Sequence, residues 1–289
     1  MPGPLQFEAP TALEYFASLV AEDASLSLTE AALAIAQDDA PGLDPQSVLF
    51  EIDTLADRIK RRMAHDAAPV QKLRLLNRYF FQELGFAGNV NDYYDVRNSY
   101  IHAVLETRRG IPITLAVIYM EIASQVGLTA RGVSFPGHFL VKLRMPQGEV
   151  VIDPFTGHSL SRHELDELLL PYRRAQGLDG DFDVPLGLFL QASPARDVLA
   201  RMLRNLKEIH RGAGDWRKLL AVQQRLVVLL PQAWEELRDR GLAHLELGQT
   251  DQAIDDLSAY LDHARGATDR RAISRQLATL RGPGTRRLH

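Results

Sequence analysis

The 289-residue sequence contains no cysteine. This absence excludes disulfide bonds, thiolate zinc sites and thiol nucleophiles. No stretch reaches the roughly 18 uninterrupted apolar residues of a membrane span, and residues 1–10 lack the basic region and apolar core of a secretory signal. The formal net charge is −4, so no basic excess indicates a nucleic-acid partner. We therefore expect a cytoplasmic protein with no cofactor and no nucleic-acid or membrane partner.

The first third of the chain has the period of amphipathic helices. Pro112 suits the first turn of a later helix, and Gly127 suits its C-terminal cap. Asn98 is predicted to cap a short helix that runs to about Arg108. Apolar residues that recur every three or four positions predict the earlier helices at 11–23, 27–37, 46–63 and 70–84.

After Gly127 the pattern changes to that of strands. Short β-branched or alternating runs occupy 128–135, 138–143 and 149–152, separated by turn-forming residues. They predict a small antiparallel sheet. Residues 161–170 return to a helical pattern, and the Gly- and Asp-rich stretch that follows indicates a boundary.

An internal repeat runs through the C-terminal third. Paired positions there lie 34 residues apart, namely Gly214 with Gly248, Leu220 with Ile254, and Leu226 with Tyr260. A 34-residue period of paired helices is typical of tetratricopeptide repeats, although a plain helical bundle can share the spacing. Two repeats alone are marginal, so we expect them to pack on a neighbouring domain or a final helix.

These patterns predict an α+β fold followed by an all-α region. The predicted divisions are N-terminal helices at 1–40, a core at 41–175, a linker at 176–195, two repeats at 196–265, and a C-terminal helix with a basic tail at 266–289.

The C-terminal tail carries several arginines against one acid, Asp269. Such a tail is typical of a solvated chain end or of a docking site for an acidic partner.

The predicted hairpin brings His138 and Asp153 together. If its loop is centred on 146–148, Asp153 lies opposite Leu140, which shares a face with His138 because strand side chains alternate. The two are then diagonal neighbours within side-chain reach. An Asp that orients a His is the base half of a nucleophilic triad. The third member is expected at the start of the helix packed against this sheet, where the helix dipole favours negative charge.

An ordered set of segments resembles the Sir-B-type transglutaminase-like family. The segments are Gly88-Asn89, Asp92-Tyr93-Tyr94-Asp95, Asn98-Ser99-Tyr100, Arg109-Gly110-Ile111-Pro112-Ile113-Thr114-Leu115, Phe135-Pro136-Gly137-His138-Phe139-Leu140 and Ile152-Asp153-Pro154-Phe155. The resemblance covers roughly residues 40 to 265. It implies a papain-like transglutaminase core with a Cys–His–Asp triad, followed by tetratricopeptide repeats. The position of the cysteine falls near Pro112, Ile113 or Thr114, and the family usually has Ser or Thr where Thr114 stands.

Each candidate site residue has a functional and a structural interpretation. Thr114 is either a nucleophile activated by His138 or an early-helix Thr bonded to its own backbone. Arg109, beside Arg108, either holds an anion at the site mouth or is solvated. Asn98 is either a ligand-binding residue or a helix cap. No metal site is predicted, because the spacing of the histidines after Asp153 matches no zinc pattern.

Two functions remain open from the sequence. The first is a non-catalytic, regulatory interaction protein that binds a protein or peptide through its repeats. The second is an amide-bond hydrolase or acyl transferase with Thr114 as nucleophile, His138 as base and Asp153 as the residue that orients it.

Overall fold

The computed structural model describes residues 10–177 and 184–282. Part of the predicted linker and the end of the basic tail, with Arg286 and Arg287, therefore lie outside the described residues. The chain divides into two compact units. We call Glu22–Met202 the core unit, and we call the residues up to Ala21 together with those from Leu203 onward the repeat unit.

Helices open the core unit, and the most deeply buried of them is α6. The helices of this part are α2 (Leu28–Ala34), α3 (Pro45–Lys60), α4 (Pro69–Asn77), α5 (Ile101–Thr107) and α6 (Pro112–Gln125). Every residue from 111 to 119 is buried. A helix that is apolar on all sides is stable only inside a domain. The start of α6, where the family's nucleophile is expected, therefore lies in the interior.

The sheet of the core unit is antiparallel and four-stranded. Its strands pair in sequence order, with Val141 opposite Ile152 and Leu143 opposite Val150. This register matches the predicted hairpin. The strands are β3 (Ala130–Val133), β4 (Leu140–Met145), β5 (Gly148–Ile152) and β6 (Ser159–Leu160), and the helices α7 (Arg162–Ala175) and α8 (Leu186–Phe189) follow.

Several local predictions need correction. His138 does not begin a strand, because β4 starts two residues later. The predicted helix 70–84 is α-helical only as far as Asn77 and continues as a π-helix, Arg78–Glu83. A parallel pair of two-residue strands, β1 (Ala87–Gly88) and β2 (Arg109–Gly110), was not predicted, since such short strands show no periodicity.

The repeat unit contains paired helices and the N-terminal helix α1 (Ala12–Leu19). Gly214 and Gly248 have φ of 67° and 70°, the left-handed conformation that ends a helix at a glycine. The residue after each glycine donates its backbone N–H to the carbonyl of a buried histidine. Asp215 donates to His210, and Gln249 donates to His244. The other helices are α9 (Ala195–Ala213), which begins in the core unit, α10 (Trp216–Leu229), α11 (Trp234–Glu246), α12 (Thr250–His263) and α13 (Arg270–Arg281).

The predicted α+β class is confirmed: the core unit combines helices with small sheets, and helices alone form the described repeat unit. Within the described ranges, no helix is both long and apolar enough to cross a bilayer.

Candidate functional site

His138 and Asp153 form a hydrogen-bonded dyad. The distance from His138 Nε2 to Asp153 Oδ1 is 2.8 Å. The His138 side chain is 25% exposed and that of Asp153 is 13% exposed, so the pair opens to solvent through the imidazole. Because Nε2 faces the carboxylate, Nδ1 is the ring nitrogen left for a substrate or ligand.

The turn after β5 fixes the carboxylate of Asp153. Oδ1 also accepts the backbone N–H of Phe155 at 2.8 Å, and Oδ2 accepts the Thr156 hydroxyl at 3.0 Å. Burial acts to raise the pKa of Asp153, but the hydrogen bond and charge of His138, together with these two donors, outweigh it and hold the pKa below its ordinary value. Asp153 is therefore both a turn residue and an orienting partner for His138.

Thr114 lies in the first turn of α6 and is fully buried. Its hydroxyl makes no hydrogen bond. The predicted bond to its own backbone is therefore wrong, and the hydroxyl is not hydrogen-bonded to His138 in this structure. A nucleophile needs a base within hydrogen-bond reach, although such bonds often tighten only when substrate is bound.

Asn98 is buried and does not cap a helix, which corrects its predicted role as a cap. The N-cap of α5 is Tyr100. The amide of Asn98 instead donates to the carbonyls of Asp92 at 2.7 Å and Tyr93 at 3.2 Å, and it accepts from Asn89 at 3.0 Å. It therefore holds the 89–95 loop in shape and fixes the backbone that carries Tyr93.

The predicted anion-holding arginine, Arg109, is engaged by the backbone. Its Nη1 donates to the carbonyls of Gly85 at 2.6 Å and Arg108 at 2.9 Å. The guanidinium of Arg108 lies over the Phe86 ring at 4.7 Å and pairs with Glu51 at 3.7 Å. An anion-binding role for Arg109 remains a prediction.

A different arginine, Arg201, contacts the segment that carries His138, and no sequence pattern predicted it. Its Nη1 donates to the carbonyl of Phe135, 66 positions earlier in the chain, at 3.4 Å. Its guanidinium carbon is 5.5 Å from the centre of the Phe139 ring. Arg201 sits in an ordinary helical pattern with no motif around it, so only the tertiary fold could reveal it.

Metal-binding potential is low across the described ranges. There, no three His, Asp or Glu side chains are grouped closely enough to hold an ion.

Comparison with known families agrees with this architecture. A model described as the transglutaminase-like superfamily matches residues 46–204, which is more than half of the chain. The chain belongs to the transglutaminase-like superfamily. A tetratricopeptide-repeat model matches the adjoining residues 206–278, so this member joins a transglutaminase-like domain to repeats.

Curated relatives extend along most of the chain. A UPF0162 protein of Xylella fastidiosa (strain Temecula1) is 39% identical over 241 residues, which cover 83% of this chain and 85% of that protein. The UPF0162 protein PA3419 of Pseudomonas aeruginosa is 32% identical over 263 residues, covering 91% and 94%. The UPF0162 protein YchA of Escherichia coli (strain K12) is 26% identical over 221 residues, covering 75% and 79%. These names state no activity, and none carries the Sir-B label. No solved structure matches the chain.

Proposed function

We propose that this transglutaminase-like protein is a non-catalytic, regulatory interaction protein of the cytoplasm, related to the Sir-B-type proteins. It binds a protein or peptide through its tetratricopeptide repeats, and neither nucleic acid nor membrane is its partner. The absence of cysteine from a superfamily whose triad begins with a thiol supports the non-catalytic part of this proposal.

A groove in the repeat unit carries the interaction part of the proposal. Its volume is about 250 Å³. Trp216, Leu219 and Leu242 line it with apolar side chains. The ion-paired Lys207 and Asp239 also line it, and exposed Arg211 and Glu246 add further charges of both signs. Apolar contacts surrounded by polar groups are the usual anatomy of a peptide-binding surface. The occupant we propose is a peptide segment that inserts one apolar side chain between charged neighbours.

Site-specific photo-crosslinking in the full-length chain tests the groove. Gln276 borders it on α13, and Ser274 is exposed two residues earlier on the same helix, outside the lining residues. A photoreactive residue at position 276 should crosslink to a defined partner in cells, and one at position 274 should not. Equal crosslinking from both positions, or none from 276, would refute binding at the groove.

The hydrogen-bonded dyad favours a second candidate, an amide-bond hydrolase or acyl transferase. In that mechanism His138 removes the proton of the Thr114 hydroxyl, Asp153 stabilises the imidazolium, and the oxygen attacks the amide carbonyl carbon. The C–N bond then breaks as the imidazolium gives its proton to the departing amine, which leaves an ester on Thr114 for water or an amine to cleave. The buried, unbonded hydroxyl of Thr114 counts against it. Acyl-enzyme formation on Thr114 in the presence of an activated ester, lost in the His138→Ala variant, would establish the enzyme. If partner binding and any activity both survive His138→Ala, the dyad is a relic.

A further inference from the structure

Arg201 lacks the partner that a partly buried arginine normally has. Within the described ranges the one hydrogen bond of its side chain goes to the Phe135 carbonyl, and no carboxylate pairs with it. Partial removal from water lowers the pKa of its guanidinium, and the neighbouring Tyr93 opposes that shift. A desolvated charge without a counter-ion costs free energy, so its retention points to a ligand that supplies the missing charge.

One carbonyl oxygen connects Arg201 to the dyad. The oxygen of Phe135 accepts the backbone N–H of His138 at 3.0 Å and Arg201 Nη1 at 3.4 Å. The ring under the guanidinium belongs to Phe139, the residue after His138. Gly132 allows this close packing, since a Cβ there would lie 2.6 Å from the Phe139 ring. The charge of Arg201 is therefore held next to His138 by backbone and ring contacts.

Aromatic residues adjoin the Asp153 side of the dyad. The ring centre of Tyr93 is 6.0 Å from that of Phe155, whose N–H donates to Asp153. Tyr93 is 46% exposed and the adjacent Tyr94 is 79% exposed. Contacts therefore run from Arg201 through the Phe135 carbonyl to His138, and on through Asp153 and Phe155 to Tyr93.

We propose that Arg201, His138 and Tyr93 bind a carboxylate carried on an apolar or aromatic group. The planar fork of an arginine matches a carboxylate in two-point geometry. Nδ1 of His138 faces away from Asp153 and can hydrogen-bond the same ligand. Exposed tyrosine faces receive the apolar part. A monoanion fits better than a phosphate dianion, because Asp153 already contributes negative charge to the site.

Calorimetric titration of the full-length protein tests the charge requirement. The probe is 3-phenylpropionate, compared with its neutral amide, 3-phenylpropionamide, and with the dianion phenylphosphonate. We expect saturable binding of the carboxylate and at least about tenfold weaker binding of the amide, the size of one lost charge-assisted interaction. Phenylphosphonate should bind more weakly than the carboxylate. Equal affinity for acid and amide, or no binding of the acid, would overturn the proposal.

Substitution of Arg201 tests the residue assignment. Arg201→Gln should weaken 3-phenylpropionate binding by about tenfold or more, and Arg201→Lys should recover part of the loss. The matched control is Arg196→Gln on the same helix, because Arg196 is paired with Asp23 at 2.7 Å. That variant should bind like the wild type. Unchanged affinity in a folded Arg201→Gln variant would refute the site.

A measurement on the wild type covers the case in which Arg201→Gln fails to fold. On titration with 3-phenylpropionate, the imidazole NMR signals of His138 should shift, whereas those of His263, stacked on Trp234 in the repeat unit, should not. Unmoved His138 signals at saturation would contradict the proposal. Because every residue involved belongs to the core unit, failure of this site leaves the repeat-groove proposal standing.

Discussion

Two charged side chains, Lys207 of the repeat unit and Arg201 of the core unit, have different partners. In the repeat unit, Lys207 is buried between Glu236 at 2.8 Å and Asp239 at 2.5 Å, and Arg240 makes two bonds to Asp256. In the core unit, Arg201 pairs with a carbonyl rather than a carboxylate. The ion pairs of the repeat unit satisfy each other's charge, so they need no ligand to explain them. Among the described residues Arg201 has no acidic partner, and the carboxylate ligand we propose would supply one.

The buried ion pairs of the repeat unit and the dyad of the core unit also differ in exposure. A buried ion pair fixes register and geometry, and it loses its value when one member is removed. The dyad of His138 and Asp153 is instead partly exposed, although its carboxylate is fully hydrogen-bonded. Such a pair keeps an imidazole oriented whether or not a nucleophile is present.

The largest effect is expected from breaking the paired charges of the repeat unit. Glu236→Gln leaves buried Lys207 with one acidic partner, so we expect a loss of about 3 kcal/mol in the free energy of unfolding. Both tryptophans, Trp216 and Trp234, belong to the repeat unit, and their fluorescence during urea unfolding reports it selectively.

The control for this variant is Glu208→Gln. The Glu208 and Arg211 side chains form a pair that is more than half exposed on both sides. Its loss should change the unfolding free energy by less than about 0.5 kcal/mol. Equal effects of the two substitutions would remove the distinction between buried and exposed pairs in this unit.

The next effect concerns the packing that positions the dyad. Gly88→Ala would place a Cβ 2.2 Å from the Phe155 ring, so the turn that holds Asp153 must move. We expect a loss of about 2 kcal/mol, typical of overpacking, measured by far-UV circular dichroism during unfolding. Gly42→Ala is the control, because no atom lies within 4 Å of its added Cβ. A stable Gly88→Ala variant with unchanged 3-phenylpropionate affinity would show that this contact does not position the site.

A smaller, pH-dependent effect is expected at Asp153. Its pKa is lower in the folded protein, so its ionised form stabilises the fold at pH values above the unfolded pKa of about 3.9. Asp153→Asn should cost about 1.5 kcal/mol at pH 7. The difference from wild type should shrink as pH falls through the folded pKa. Urea unfolding at several pH values checks this, with exposed Asp66→Asn as control. A difference that persists at pH 2 would contradict the assignment.

The smallest effect, of opposite sign, is expected at Thr114. Thr114→Val removes a buried hydroxyl that has no partner, so the free energy of unfolding should rise by about 1 kcal/mol. Thr107→Val is the matched control, because that hydroxyl donates to the Ala103 carbonyl at 2.8 Å and its removal should destabilise. Destabilisation by Thr114→Val would indicate a hydrogen bond that this structure does not contain.

The sequence predicted the features that depend on short-range patterns. The hairpin register, and with it the contact of His138 with Asp153, followed from alternation around a turn. The glycines of the repeat marked real helix ends at Gly214 and Gly248. By contrast, Arg201 meets Phe135 from 66 positions away, and no local pattern identifies such a contact. The bonds of Asn98 are local, but they depend on the irregular 89–95 loop, whose shape no periodicity predicts.

The orientation of individual side chains was also beyond the sequence. Thr114 was placed correctly in the first turn of α6, yet its burial without a partner depends on how the surrounding helices pack. The same holds for Arg109, whose position in the chain indicated a site mouth while its guanidinium binds two backbone carbonyls. Periodicity assigns a residue to a face, and tertiary packing decides what that face contacts.

The central claim is that the protein binds a partner through its repeats. The most direct test substitutes one residue in each unit and measures the affinity of each variant for the partner that crosslinks at position 276. Gln276→Arg places a long side chain at the groove, and Ser274→Arg is its control on the same helix. Thr114→Val removes the only hydroxyl proposed as a nucleophile. We predict that Gln276→Arg weakens partner binding by at least about tenfold, the loss of roughly 1.4 kcal/mol, while Ser274→Arg and Thr114→Val bind like the wild type. Full binding by Gln276→Arg together with lost binding by Thr114→Val would contradict an interaction protein that works through its repeats.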